Sequence, residues 1–259
     1  MRYLKNEIIR SIRAPQFWFA VFVCLIIYVG GEGFDGWISI VCSRQGTWIH
    51  HHNGFMLEFN PFRSLLPFPA ALAAGSLFAE DWEHRSIYFQ TTRCSFRRYC
   101  CVKFIVPCIM GGLVLAFGLL CYLGFMGFFI PAYNDETYYE PFIEPIISKQ
   151  QWTVYFLYFC SLQFMLGVLC AGISTIVATI TSRRGMIFLI PMIVLAMIEI
   201  VTDITIVGLS GAQSSIVFSL DTDSPMLVYL VIFCILLFLI LTVFFCFRFM
   251  IKKRVFQWQ

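Results

Sequence analysis

The sequence predicts an all-α, polytopic membrane protein, and two observations lead to this fold class. Hydrophobic residues make up 59% of the 259 positions, whereas charged residues make up only 13%. A soluble domain of this length needs more polar residues than that to cover its surface. The apolar residues also fall into runs near the length of about 20 residues that an α-helix needs to cross a bilayer.

Six apolar runs predict six transmembrane helices in a single transmembrane domain that covers residues 1–259. A helix over residues 1–14 precedes them, with Met1, Leu4, Ile8 and Ile12 on one face and polar or basic residues around the rest. This pattern is typical of an amphipathic helix that lies in the membrane interface. The predicted spans are approximately residues 15–30, 61–79, 104–130, 152–180, 186–206 and 226–247. The fourth span contains a stripe of small residues, for which helix packing is favoured over a substrate slot: Gly167, Ala171, Ser174 and Ala178.

The distribution of Lys and Arg predicts the orientation. If both termini lie inside, 15 of the 18 basic residues fall on inner segments, and only Arg44, Arg63 and Lys149 fall on outer ones. Cytoplasmic segments of membrane proteins carry this excess of positive charge. We therefore expect a multi-pass protein of the cell (plasma) membrane with both termini in the cytoplasm. The net charge of +3 gives no indication of nucleic-acid binding.

The segment 80–103 is the most strongly charged part of the chain, and it connects the second and third predicted spans. A polar segment tied to two membrane helices is well placed to contact a soluble partner. We expect it to be a cytoplasmic coupling loop. Its acidic and basic residues are Glu80, Asp81, Glu83, Arg85, Arg93, Arg97, Arg98 and Lys103.

No enzymatic motif accompanies this segment. The sequence contains no GxxxxGK[ST] nucleotide-binding loop, no HExxH and no GxSxG. The run His50–His52 could bind a metal, but adjacent histidines rarely direct their rings at one ion, so a solvated loop is the favoured interpretation. We expect no catalytic residue, no metal and no cofactor bound by this chain.

Glu199 and Asp203 stand out because they are carboxylates within the fifth predicted span. Four residues apart, they share one helical face. A charged side chain at the centre of a bilayer costs about 2.5–3.5 kcal/mol, so its presence calls for a reason. Two interpretations remain open: both groups reach headgroup water at the outer end, or they line a substrate path or outer gate.

At the segment 80–103 the sequence resembles permease subunits of ATP-binding-cassette exporters of the second type. The loop of that family opens with acidic residues, matched here by Glu80 and Asp81. A Ser followed by a basic-aromatic run and a Lys is matched by Ser95, Arg97, Arg98, Tyr99 and Lys103. The sequence departs from the family pattern at Arg85-Ser86, where Gly-Thr is usual, and at Phe96, where Arg is usual.

The resemblance implies an N-terminal interfacial helix, six spans and a coupling helix between the second and third. It implies two cytoplasmic ATPase subunits that bind ATP and Mg, and a second permease copy or a sister permease. Smaller members of the family export peptides, antibiotics or lipid-linked compounds, and some protect their host against antimicrobial peptides. The alternatives are a membrane sensor or scaffold without transport, or an intramembrane enzyme.

Overall fold

The computed structural model describes residues 2–43, 47, 51–52, 62–83, 96–131, 146, 149, 151–181, 183–202 and 225–256. Within these ranges every regular element is helical, as the sequence predicts. A π-helical stretch, Ser39–Ser43, and a 3-10 turn, Arg63–Leu65, accompany eight α-helices. The α-helices are α1 (Arg2–Arg13), α2 (Pro15–Gly31), α3 (Gly33–Ile38), α4 (Pro67–Glu83), α5 (Phe96–Met126), α6 (Trp152–Ile180), α7 (Arg184–Thr202) and α8 (Pro225–Phe256).

Three of the described helices, α5, α6 and α8, are long and apolar enough to cross a membrane. The pair α1 and α2, which meet at an angle of 57°, makes a fourth if it counts as one broken span. These helices confirm the membrane character of the chain. The count of six spans stays a prediction, and in α7 the apolar part, Arg184–Met197, is shorter.

The break between α1 and α2 follows from Pro15. This residue occupies the first turn of α2, and the preceding Ala14 is extended, with φ −67° and ψ 134°. A proline lacks the N–H that would continue a helix and disfavours helical geometry in the residue before it. The side chains of Leu4, Ile8 and Ile12 pack against the core, as the amphipathic pattern of α1 predicts.

Helix α6 is central, because it packs against α4, α5, α7 and α8. Its contact with α5 depends on glycines: a Cβ atom added at Gly111 would lie 2.8 Å from the Gly167 carbonyl oxygen. Small residues allow two membrane helices to approach this closely. The predicted packing role of the small-residue stripe is confirmed, since its members Gly167, Ala171, Ser174 and Ala178 are all buried.

Ser174 continues this close packing toward α4 and α7. Its Oγ lies 3.1 Å from the Ile187 carbonyl oxygen and 3.4 Å from that of Ala71, so one hydroxyl serves both neighbouring helices. Helix α8, in contrast, is peripheral. Only 17% of its most apolar stretch of 18 residues is buried, against 61% of the corresponding stretch in α5 and 67% in α6. Its exposed phenylalanines, including Phe238 and Phe249, form a surface suited to lipid.

Candidate functional site

The predicted coupling segment, residues 80–103, is helical at both of its ends. Glu80, Asp81 and Glu83 belong to the last turn of α4, and α5 already begins at Phe96. The expected third span at residue 104 is therefore the continuation of a helix that starts earlier. No Gly or Pro occurs in 80–103 to stop either helix. Arg85, Arg93 and Ser95 lie outside the described residues.

The basic and aromatic residues at the start of α5 differ in their exposure to solvent. Arg98 is exposed, whereas Tyr99 is fully buried and the Lys103 side chain is only 5% exposed. Arg97 is the second residue of α5. The Tyr99 ring and the Lys103 ammonium thus face the protein interior, and Arg98 is the described side chain of this run that a soluble partner can reach.

Lys103 is compensated by Glu7 of α1. Its Nζ lies 3.5 Å from Glu7 Oε2, and the Arg10 guanidinium donates to the same oxygen at 2.9 Å. A buried ammonium requires a partner of this kind, since an uncompensated charge in a low-dielectric interior is strongly destabilising. The ion pairs attach α1 to the start of α5. We call Glu7, Arg10 and Lys103 the inner ion-pair cluster.

The contacts of Glu199 and Asp203 lie outside the described part of the structure. Glu199 lies near the end of α7, and Asp203 falls outside the described residues. The interpretations as headgroup contacts or as an outer gate both stay predictions.

A second polar group, which the sequence did not indicate, surrounds Glu32 just after α2. The Glu32 side chain is only 6% exposed, and one of its oxygens lies 2.9 Å from His51 Nδ1. The Tyr122 hydroxyl donates to the other oxygen, and the Tyr28 ring stacks on Tyr122 with centroids 5.0 Å apart. Helices α2 and α5 are thereby joined through one buried carboxylate.

His52 extends this arrangement to α6. The ring is fully buried, its Nδ1 is hydrogen-bonded to the Tyr155 hydroxyl at 2.9 Å, and its edge meets Phe159 at a centroid distance of 4.8 Å. His52 Nε2 has no hydrogen-bond partner within the described ranges. Desolvation lowers the pKa of His52 to about 3, so the imidazole is neutral at pH 7.

These contacts correct the expectation of a solvated histidine loop for His51 and His52. The reason is that partners distant in sequence, Glu32 and Tyr155, lie where the two rings can reach them. His50 lies outside the described residues. We call Glu32, His51, His52, Tyr122 and Tyr155 the outer polar cluster.

The two clusters, which are named after the predicted orientation in the membrane, lie at opposite ends of α5. Lys103 and Tyr122 are 19 residues apart on one helix, which corresponds to about 28 Å along its axis. The outer polar cluster joins α2, α5, α6 and residues 51–52 through polar side chains. Buried ionisable residues in a membrane domain are costly to retain, so such groups mark candidate functional sites.

Neither cluster provides a metal site. Among the described residues there is no group of three or more His, Cys, Asp or Glu side chains arranged to hold an ion. The chain matches no protein-family model, and no curated protein or solved structure is significantly similar to it.

Proposed function

We propose that this chain is the permease subunit of an ATP-driven exporter of the ATP-binding-cassette class. It works with two separate ATPase subunits, which bind ATP and Mg, and with a second permease. Its cargo is a peptide, an antibiotic or a lipid-like compound. The observation that carries the proposal is that the charged segment 80–103 runs from the last turn of α4 into the start of α5, which is ion-paired to α1.

This arrangement suits a domain that an external motor moves. A force that the ATPase applies to residues 84–95 is transmitted directly to the last turn of α4 and the first turn of α5. Because Lys103 is paired with Glu7, α1 moves with the start of α5. The crossing of Gly111 and Gly167 then passes the displacement to α6, because backbones in direct contact cannot absorb it through side-chain rotation.

The outer polar cluster lies at the end of α5 that is opposite the coupling segment. Glu32, His51 and Tyr122 hold α2 against α5, and His52 holds residues 51–52 against α6. An outward-facing state requires α2, α5 and α6 to separate at this end, and these hydrogen bonds are the polar contacts that have to break. The cluster is therefore our candidate for the contacts that close the transport path at its outer end.

The experiment is co-purification with the ATPase encoded by the neighbouring reading frame, followed by transport in vesicles. The test variant is Arg97→Ala with Arg98→Ala. The control is Arg183→Ala with Arg184→Ala, which removes the same charge from another basic pair on the predicted inner side. We expect the test variant to lose the ATPase and ATP-dependent export, and the control to keep both.

Two outcomes would contradict the proposal. If wild type retains no ATPase, or if both double variants retain it equally, the segment is not the coupling surface. If the ATPase binds but vesicles accumulate no candidate peptide or drug, the sensor or scaffold alternative becomes the better account.

A further inference from the structure

The exposed face of α1 is rich in cations. Glu7 is the only acidic residue of this helix, and its side chain, 12% exposed, lies against Lys103 and Arg10. The opposite face of α1 is in contact with the core through Leu4, Ile8 and Ile12. The side chains of α1 that the structure describes as exposed form what we call the basic face: Lys5, Asn6, Ile9, Arg10 and Arg13.

A cavity of about 480 Å³ lies along this face, where α1 ends and α2 begins. Its lining combines the polar groups of Asn6, Arg10 and Arg13 with the apolar side chains of Ile9 and Ala14. Arg13 is exposed and makes no ion pair in the described part of the chain. Arg10 donates to Glu7, yet its side chain remains 54% exposed. Two guanidinium groups therefore border one open cavity.

The aromatic residues that follow the cavity in sequence are typical of a membrane interface. Trp18 and Phe19, near the start of α2, are each 58% exposed, and tryptophan is enriched at the membrane–water interface. The 57° bend turns α1 away from the axis of α2. An amphipathic helix that precedes an apolar one in this way is expected to lie at the level of the lipid headgroups.

We infer that this cavity binds the phosphate of an anionic phospholipid. Arg10 and Arg13 donate to the phosphate oxygens, which guanidinium groups match in geometry. Asn6 can donate to the headgroup, and an acyl chain continues from Ile9 along Trp18 and Phe19. The apolar lining favours a lipid over free phosphate, because a bare anion gains nothing from contact with Ile9 and Ala14. This site does not depend on the proposed transport function.

The test uses the full chain, purified and exchanged into mixed micelles with equal phosphatidylglycerol and phosphatidylcholine. Native mass spectrometry then counts the lipids retained. Wild type should retain phosphatidylglycerol preferentially. Each arginine near a membrane surface contributes about a fivefold preference for anionic lipid, so Arg13→Gln should lower the preference about fivefold. The double variant Arg10→Gln with Arg13→Gln should lower it about 25-fold.

The matched control is Arg183→Gln, which removes one exposed basic side chain from the turn before α7 and should leave lipid retention unchanged. Arg13 is exposed and makes no ion pair with the residues that the structure describes, so its replacement leaves the core intact, and an unchanged elution profile in size-exclusion chromatography checks this. If Arg13→Gln and Arg183→Gln lower the retention of phosphatidylglycerol equally, retention depends on overall surface charge, and the specific site is refuted. Displacement of phosphatidylglycerol by inorganic phosphate alone would assign the cavity to a free anion, and equal retention of both lipids would also refute the inference.

Discussion

Replacing Gly167 by Ala tests the contact between α5 and α6. The added methyl group would lie 2.8 Å from the carbonyl carbon of Gly111 and 2.8 Å from Cα of Gly112. Both atoms are backbone, so no rotamer change can make room, and the helices have to separate by roughly 1 Å to restore ordinary carbon contacts of about 3.5–4.0 Å.

The expected cost combines two opposing effects. Overpacking a close contact costs about 1–3 kcal/mol, whereas Ala gains about 0.8–1.0 kcal/mol over Gly in helix propensity. The net fall in the free energy of unfolding should therefore be as large as about 2 kcal/mol. For a chain of this size, a change of 1 kcal/mol moves Tm by about 2–4 °C, so we expect Tm to fall by up to about 8 °C.

The assay is thermal denaturation of the detergent-purified protein, followed by size-exclusion chromatography with fluorescence detection. Gly124→Ala, in α5, is the matched control, since a Cβ atom added there meets no atom within 4 Å. The control receives the propensity gain alone, and its Tm should stay constant or rise. If the Tm of Gly167→Ala changes as that of Gly124→Ala does, then α5 and α6 do not approach as closely as described. The proposed transmission of movement from the coupling segment to α6 then lacks its rigid contact.

Three further predictions concern the clusters and the orientation. Glu7→Gln should lower the free energy of unfolding by about 3 kcal/mol because it removes the carboxylate that lies against the buried Lys103 ammonium, and adding Lys103→Met should recover most of that loss. Thermal melts in which the two losses simply add would contradict the pairing. The unfolded state binds a proton on His52 below pH 6.5, and the native state does so only near pH 3. Wild type should therefore lose about 2 kcal/mol more stability than His52→Phe between pH 7.5 and 5, and parallel pH curves would contradict the burial of this ring. Cys42, which is exposed, should be labelled in intact cells by a membrane-impermeant maleimide, and labelling that persists in Cys42→Ser would contradict the predicted sidedness.

Local patterns in the sequence predicted local features of the fold well. The spacing of Leu4, Ile8 and Ile12 identified the face of α1 that packs on the core. The small residues from Gly167 to Ala178 identified the packing face of α6. Both predictions follow from helical periodicity, which depends only on neighbours within a few turns.

The polar contacts could not be predicted in this way. His52 and Tyr155 are separated by 103 positions, and Glu7 and Lys103 by 96. Nothing in the sequence near His52 indicates that its ring packs against the aromatic side chains of α6. Glu7 has the pattern of an ordinary polar residue of an amphipathic helix. The one available signal was Glu32 itself, a carboxylate directly after an apolar run, where burial requires a partner.

The central position of α6 has a consequence for how the chain matures during synthesis. Helices α2, α4 and α5 are synthesised first, and the surface of α5 around Gly111 has no α6 to pack against until residue 180 has been synthesised. Lipid chains have to occupy that surface in the interim and leave when α6 arrives. Helix α8 comes last and adds to one side of an assembly that is already packed. A chain that stops after α7 should therefore retain its core, and α8 supplied as a separate polypeptide should be able to rejoin it.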